Sequence, residues 1–298
     1  MSRVVRLRTN AKTNLWLSVL GRRPDGYHEI ETIFHTLGLA DSVSIAPAAG
    51  GEIEVDVRPE TEPMGGLPLA ADNLVHAAAR RLMEAGGHSK GARIEIVKRI
   101  PIGAGLGGGS GNAAAVLQCL NEMWGSNLDS ESLAELALDL GADVPYCLSG
   151  GTALATGRGE VITTLPAPAT LWFVLGLSKE PLLTRDVYGA FQSERDAADV
   201  RSAPMALALG LGDVDAIATL LHNDLELPAF RLRPQLAKLK EAMLDAGALG
   251  AVMSGSGPTM IGLARDQEQA STVAAAVERW FDRVTVTSSR PECIERLD

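Results

Sequence analysis

What the sequence lacks narrows the field first. Cysteine is scarce: Cys119, Cys147 and Cys293 are odd in number, far apart and without a C-x-x-C pair. They read as reduced core thiols, not as a disulfide framework. His/Cys spacing of the kind that binds a metal is absent. No apolar run approaches the roughly 18 residues of a membrane span, and Met1-Ser-Arg-Val-Val-Arg6 has no signal-peptide core. The expectation is a cytoplasmic protein without a membrane partner. Basic residues are the minority, with 27 Lys and Arg against 37 Asp and Glu, a net charge of −10 and a pI near 5.1. That balance argues against a nucleic-acid partner. Aromatics make up only 4%, and no internal repeat is evident. With 46% hydrophobic and 21% charged residues in 298, the chain is of ordinary globular composition and long enough for two domains or one large one.

Against these shortages stands one excess, Pro101-Ile-Gly-Ala-Gly-Leu-Gly-Gly-Gly-Ser-Gly-Asn112. Such a run cannot pack a core, but it can bring backbone N–H groups close to a ligand. The alternating run Ala92-Arg-Ile-Glu-Ile-Val97 before it reads as a strand, and Ala113 to Met123 after it as a helix. Strand, glycine loop and helix N-terminus in that order make an anion site, most often one for phosphate. Gly103-Ala-Gly105-Leu-Gly-Gly108 fits G-x-G-x-x-G, but the acidic residue at the right distance, Asp129, follows the turn Trp124-Gly-Ser-Asn127 and not a strand. The Gly-Lys-Ser/Thr ending of a Walker A loop is also missing. A plain glycine turn remains the bland alternative, and three consecutive glycines make it a costly one.

The rest of the chain alternates strand and helix signals. Val4–Leu7 and Ala11–Leu20 read as strands, with Lys12 and Asn14 on one side of the second. Gly21 to His28 is a turn, and Val43–Ile45 and Ile53–Val57 are short strands. A helix follows from Asp72 to Met83, capped at or near Asp72, and another from Leu128 to Leu140. Pro145 is expected to push Val144 out of helical space, leaving Asp143 in a turn. After a composition shift near Pro166-Ala-Pro168, strands are expected at Leu171–Leu175, Ala248–Met253, Met260–Leu263 and Val284–Val286. Helices are expected from Thr184, at Val214–Leu221, at Gln235–Leu244 and at Gln267–Phe281, with a second glycine turn at Ser254–Pro258. The reading is α+β, with one domain over 1–164 and a second over 165–298.

At this point the motifs resemble a known family. The loop Pro101–Ser110 is similar to the phosphate loop of the galactokinase, homoserine kinase, mevalonate kinase and phosphomevalonate kinase (GHMP) superfamily. Ala11-Lys-Thr-Asn-Leu15, Arg23-Pro-Asp-Gly-Tyr-His28, Asn112-Ala-Ala114 and Gly141-Ala-Asp-Val-Pro145 resemble its 4-diphosphocytidyl-2-C-methyl-D-erythritol kinase family, and Gly255-Ser-Gly257 the superfamily's third motif. The resemblance implies two domains with the active site in the cleft between them. It implies transfer of the γ-phosphoryl of ATP, with Mg²⁺, to the 2-hydroxyl of the cytidyl-diphospho-methylerythritol, a step in isoprenoid precursor synthesis. By position it makes Asp143 the general base and Lys12 its charged partner. Gly103, Ala104, Gly105, Leu106, Gly107, Gly108, Gly109, Ser110 and Asn112 would hold the ATP phosphates, with Asn73 and Lys98 near the adenosine. Tyr27 and Tyr188 would sandwich the cytosine, His28 would bond its edge, and Asn14 and Thr184 would hold the methylerythritol and diphosphate. A monomer or a homodimer is equally compatible. Gly111 stands where many relatives have Ser or Ala, and Tyr188 where some have Phe.

Read without the family, these residues have ordinary alternatives. Asp143 is a turn aspartate or a cap, and Lys12 a solvated lysine at a strand end. Tyr27 and Tyr188 are as well explained by packing, and Arg158 and Arg185 are surface arginines or phosphate neighbours. Three other functions compete: a kinase for mevalonate or homoserine, a ligand sensor on the same fold, and a dinucleotide oxidoreductase. The Tyr27-His28 turn speaks against the first, the joint presence of Lys12 and Asp143 against the second, and the absent acidic residue against the third.

Overall fold

Two long paired strands form the spine of the first half. In the computed structural model, which describes residues 4–60, 74–166, 170–192 and 201–297, β1 runs Val5–Arg22 and β2 runs His28–Ala48. They pair antiparallel from Val5↔Ile45 to Arg22↔His28, with register shifts at Asn10/Ala11, Asn14/Trp16 and Val19/Gly21. The sequence reading split β1 in two and saw only Val43–Ile45 of β2. The physical reason is cover on both faces. Residues Thr9–Val19 and Thr32–Leu37 are buried without interruption, so the alternation that marks a half-buried strand is lost there.

The chain continues through β3 (Ile53–Pro59), α1 (Leu74–Ala85) and β4 (Gly91–Lys98), with β3 and β4 parallel and α1 as the crossover. Then come α2 (Gly108–Trp124), α3 (Ser130–Leu140), α4 (Val144–Ser149) and the hairpin β5 (Thr152–Gly157) and β6 (Val161–Thr164). Val144 is the first residue of α4, which corrects the expectation that Pro145 would exclude it. The first turn of a helix has no intrahelical partner for the proline's missing N–H, so Pro145 fits there. Helix α2 lies in the middle of this half. Ala113, Ala114, Ala115, Val116 and Leu117 are all fully buried, and their small side chains let the helix approach the sheet. The expected cap at Asp72 and most of the Pro166–Pro168 boundary lie outside the described residues.

The second half holds β7 (Trp172–Leu177), α5 (Thr184–Ala190), α6 (Ala203–Leu211), α7 (Val214–Leu220), β8 (His222–Asn223), α8 (Glu226–Leu232) and α9 (Gln235–Asp245). It ends with β9 (Gly250–Met253), β10 (Met260–Ala264), α10 (Gln267–Val277), β11 (Arg283–Ser288) and β12 (Ile294–Arg296). Helices α6 and α8 and the strands β8 and β12 were not foreseen. A four-stranded antiparallel sheet has the order β11-β7-β10-β9. The larger sheet has the order β12-β1-β2-β4-β3, with β5 also on β2, β6 on β5 and β8 on β1. The last strand therefore returns to the first, with Thr9 opposite Ile294.

Two apolar clusters join the sheets. In one, Leu17, Val19 and Ile30 of the larger sheet pack with Val174, Met253 and Met260 of the smaller. In the other, Ala11, Leu15, Ile33 and Leu37 of the larger sheet pack with Phe173, Leu175 and Ile261 of the smaller, and Leu106 of the glycine loop is inserted among them. The loop is thus fastened where the halves meet, by its one fully buried large side chain. Among the described residues, no helix is long and apolar enough to cross a membrane.

Candidate active site

Three glycines of the loop have left-handed backbone, with φ of +69° at Gly103, +76° at Gly105 and +68° at Gly107. Each also sits where the loop turns, so a side chain would be strained. Space forbids one as well at two of them. A Cβ on Gly105 would lie 2.2 Å from the carbonyl oxygen of Ser254, and one on Gly107 would lie 2.7 Å from Lys12 Cγ. Leu106 between them is 1% exposed, and its carbonyl accepts a hydrogen bond from Lys12 N at 2.9 Å. Helix α2 starts at Gly108, five residues before the expected Ala113, and no side chain caps it. The first N–H groups of this helix have no intrahelical acceptor, and the positive end of its dipole faces the loop. Triple glycine keeps that end bare.

Lys12 and Asp143 meet beside the loop. Lys12 projects from β1 and is 4% exposed; Asp143 sits at the N-cap position of α4, where its side chain caps nothing and is free to turn outward. The ammonium is 3.2 Å from Asp143 Oδ2. It donates to Asn14 Oδ1 at 3.0 Å and lies 5.0 Å from the centre of the Phe34 ring. Burying a lysine costs free energy unless it is paired and bonded, and here a carboxylate, an amide oxygen and a ring face do both. Asn14 is held in turn, since its Nδ2 donates to Thr32 Oγ1 at 2.8 Å and that hydroxyl donates to the Trp16 carbonyl at 2.6 Å.

A cavity of about 990 Å³ opens above this pair. Of the residues expected at a site, Lys12, Asn14, Tyr27, His28, Gly105, Gly107, Ser110, Asp143, Thr184 and Tyr188 line it together. They come from β1, the β1–β2 turn, the start of β2, the glycine loop, the start of α2, the N-cap of α4 and α5. The aromatic end is built differently from a bare pair of tyrosines. The His28 ring lies 5.0 Å from Tyr188 at an interplanar angle of 32°, and Phe191 meets His28 edge-on at 6.0 Å. Tyr27 is 58% exposed and has the Arg158 guanidinium 4.9 Å above its ring. Burial, and then the nearby charge of Arg22, hold His28 below the usual histidine range, so its imidazole is neutral at neutral pH. Burial, and then the Asp143 charge, keep the Tyr188 phenol protonated well above its ordinary range. Thr184 Oγ1 is 2.9 Å from Ser256 Oγ.

Other expected residues face elsewhere. Gly103, Ala104, Leu106, Gly108 and Gly109 shape the loop without lining the cavity. Asn112 is 2% exposed and turned inward, and its Nδ2 donates to Asp41 Oδ2 at 3.0 Å while its Oδ1 accepts from Thr9 Oγ1. Its amide is used inside the protein, so it supports the loop from beneath and does not present itself to a nucleotide. Lys98 is bound to the same Asp41 carboxylate, which is fully buried and also accepts from the backbone N–H of Arg99 at 2.7 Å and of Ile100 at 2.9 Å. Asn73 lies outside the described residues. Sequence reasoning missed Asp41, Phe34 and Phe191, and took Ser256 only as part of the Gly255-Ser-Gly257 motif without a role of its own. Of the first three, Phe191 left a local signal, as an aromatic three residues after Tyr188 at the end of an expected helix.

The family model described as GHMP kinases N terminal domain matches residues 73–151, and the one described as GHMP kinases C terminal matches 205–283. A 4-diphosphocytidyl-2-C-methyl-D-erythritol kinase of Pelotomaculum thermopropionicum is 43% identical over 284 residues, covering 95% of this chain and 97% of its own. A crystal structure of a 4-(cytidine 5'-diphospho)-2C-methyl-D-erythritol kinase superposes with a TM-score of 0.78 at 36% identity, covering 97% of this chain and 100% of that one. A homoserine kinase from Cytophaga hutchinsonii has a TM-score of 0.79 at 23% identity, covering 99% and 97% of the two chains, a likeness of fold alone.

Proposed function

Because this chain belongs to the GHMP kinases and, within them, to the 4-diphosphocytidyl-2-C-methyl-D-erythritol kinase family, we propose that it transfers the γ-phosphoryl of ATP to the 2-hydroxyl of that substrate. The reaction is a step in isoprenoid precursor synthesis by the non-mevalonate route. The observation that carries the reading is the cavity itself. It has the glycine loop on one wall, the Lys12–Asp143 pair beside it, and the His28–Tyr188 ring pair with Tyr27 at the other end. A phosphate, a hydroxyl to be activated and a planar base each find a matching surface.

Phosphoryl transfer requires positioning and charge more than covalent help from the protein. In this reading the backbone donors at the start of α2 take the phosphate oxygens. Asp143 Oδ2 accepts the proton of the 2-hydroxyl as the new O–P bond forms, and the bond to the β-phosphate oxygen breaks to release ADP. Lys12 offsets the charge that builds on the acceptor oxygen, and Asn14 fixes the direction of its ammonium. The neutral His28 imidazole bonds the pyrimidine edge while the Tyr188 ring covers the base face. Mevalonate and homoserine have no ring to place there.

Mg²⁺ is part of the proposal. Among the described residues no group of three or more His, Cys, Asp or Glu forms a metal cage. Among the described residues the cavity offers the Ser110 hydroxyl at the start of α2 and a single carboxylate, Asp143. That sparse set suits a cation that keeps waters and arrives on phosphate oxygens. When bound, it would shield the phosphate charge. The further assignments are a cytoplasmic monomer or homodimer and a division of the chain at 164/165.

A coupled ADP-release assay tests the reading, with the cytidyl substrate, mevalonate and homoserine offered in parallel. Turnover with the cytidyl substrate alone is expected. Comparable or faster turnover with either small alcohol would overturn it.

A further inference from the structure

The turn Ser254–Gly257, between β9 and β10, touches three parts of the site at once. Ser254 Oγ donates to the Gly105 carbonyl at 2.9 Å, and the backbones of the two turns are in contact at that point. Gly255 packs on Lys12 and the amide that holds it: a Cβ there would lie 3.4 Å from Asn14 Oδ1 and 3.5 Å from Lys12 Nζ. Ser256 reaches the first residue of α5 through Thr184. The glycine loop, the lysine and the α5 helix are therefore spaced by one turn. With φ of +54° at Gly255 and +80° at Gly257, that turn has a pliable backbone and short side chains.

One side chain ties it down. Asn223 is 4% exposed, and its Nδ2 donates to the carbonyls of Met253 and Gly255, both at 2.7 Å. Its Oδ1 accepts from Leu225 N at 2.9 Å. Both donors and the acceptor of the amide are in use. Asn223 is itself anchored to the strand that carries Lys12. It lies on β8 opposite Leu17 of β1, and the next residue, Asp224, donates its N–H to the Leu17 carbonyl at 2.9 Å and accepts from Val19 N at 2.8 Å. A single amide thus couples the turn of the second sheet to β1 in the first.

We propose that Asn223 is a positioning residue for phosphoryl transfer, acting through the Ser254–Gly257 turn to set the glycine loop against Lys12. The inference rests on the kinase reading above for its catalytic arm only. Asn223 touches neither ligand in this account, and its effect reaches the reaction through backbone placement. A displacement of about 1 Å at a reacting centre costs on the order of a hundredfold in rate, so a modest shift of the turn is enough to matter.

Asn223→Asp separates the two tasks of the amide. It keeps an oxygen for Leu225 N–H, but sets an acceptor against the Met253 and Gly255 carbonyls, which frees the turn. Ser254→Ala cuts the same route at its other end. The experiment titrates a non-hydrolysable ATP analogue into wild type, both single variants and the double variant, and measures kcat on the cytidyl substrate in each. For Asn223→Asp with an unchanged circular dichroism spectrum, kcat falls about ten- to a hundredfold. Analogue affinity weakens about three- to tenfold, and the double variant is less impaired than the product of the singles. A folded Asn223→Asp enzyme with wild-type kcat and analogue affinity would reduce Asn223 to a packing residue and overturn the inference, as would losses that multiply independently. If the aspartate variant does not fold, Asn223→Ser, which drops one donor and keeps another, is judged by the same criteria. Analogue binding needs no acceptor, so a wild type that binds nucleotide but ignores the cytidyl substrate would refute the substrate reading and leave the binding arm to decide this one.

Discussion

Asp143→Asn is the substitution whose two effects differ most. The carboxylate is the only part of Asp143 that changes, and the asparagine oxygen can still accept from Lys12, 3.2 Å away in the native pair. Breaking a fully buried pair costs about 3–5 kcal/mol, but the Asp143 side chain is 35% exposed and water can screen the loss. Lys12 also keeps Asn14 at 3.0 Å and the Phe34 ring at 5.0 Å. The stability cost is therefore about 1–2 kcal/mol, between the exposed and the buried cases. For a chain of 298 residues that lowers Tm by roughly 2–3 °C. Catalysis loses far more, because an amide accepts no proton at neutral pH. Removing a general base lowers kcat by about 10²–10⁴-fold, or about 2.7–5.5 kcal/mol of barrier. ADP release at saturating ATP and cytidyl substrate gives kcat, and differential scanning fluorimetry gives Tm. A kcat loss below about tenfold in a folded variant would refute the assignment of the base.

Further outcomes are expected at the loop, the ring pair and His35. Gly111→Ala is neutral or stabilising by up to about 1 kcal/mol, as for a helical glycine, because its Cβ would meet only Asn10 O and Thr9 Cβ at 3.7 Å. Gly105→Ala, with a Cβ 2.2 Å from Ser254 O, lowers Tm or loosens ATP; wild-type values for both in thermal melts and nucleotide titrations would contradict the packing described. Tyr188→Ala raises KM for the cytidyl substrate about ten- to a hundredfold with KM for ATP little changed, whereas His28→Ala narrows the preference for cytidyl over uridyl substrate; a normal KM in the first would move the base elsewhere. His35 is buried between Thr152 and Ser289, and burial holds its pKa down at about 4. The unfolded chain takes up that proton near pH 6.5, so stability is full above this value and falls as the pH drops toward 4. Urea unfolding should show a loss of about 2 kcal/mol between pH 7 and pH 5 from this group, flattened in His35→Gln; equal slopes would remove His35 as the cause.

The parts of the molecule that could be read in the sequence are those whose signal is local. The glycine loop carries its order of strand, loop and helix within about thirty residues, as expected of a phosphate-binding unit, and Asp143 stands in a turn just after the helix signal at Leu128–Leu140 and before Pro145. The hidden parts depend on partners far along the chain. Strand β2 loses its alternation because helices and the second sheet cover both of its faces. Asn112 looks like a loop ligand until Asp41, 71 residues away, is seen to hold it. Asn223 shows nothing in its own neighbourhood, since the carbonyls it binds are 30 and 32 residues on. Strand β12 is three residues long and exists only because β1 offers it an edge.

A proton-coupled phosphorus NMR spectrum of the product reads the site of phosphorylation directly. The carbon bearing the 2-hydroxyl of the methylerythritol carries a methyl group and no hydrogen. A phosphate monoester there has no carbinol proton to couple with, so its resonance is a singlet. Esters of the neighbouring secondary and primary hydroxyls give a doublet and a triplet. With ATP, Mg²⁺ and the cytidyl substrate, the wild-type enzyme should produce one new monoester singlet that is absent with Asp143→Asn over the same time. A doublet, a triplet, or no new monoester while the nucleotide binds would contradict the account.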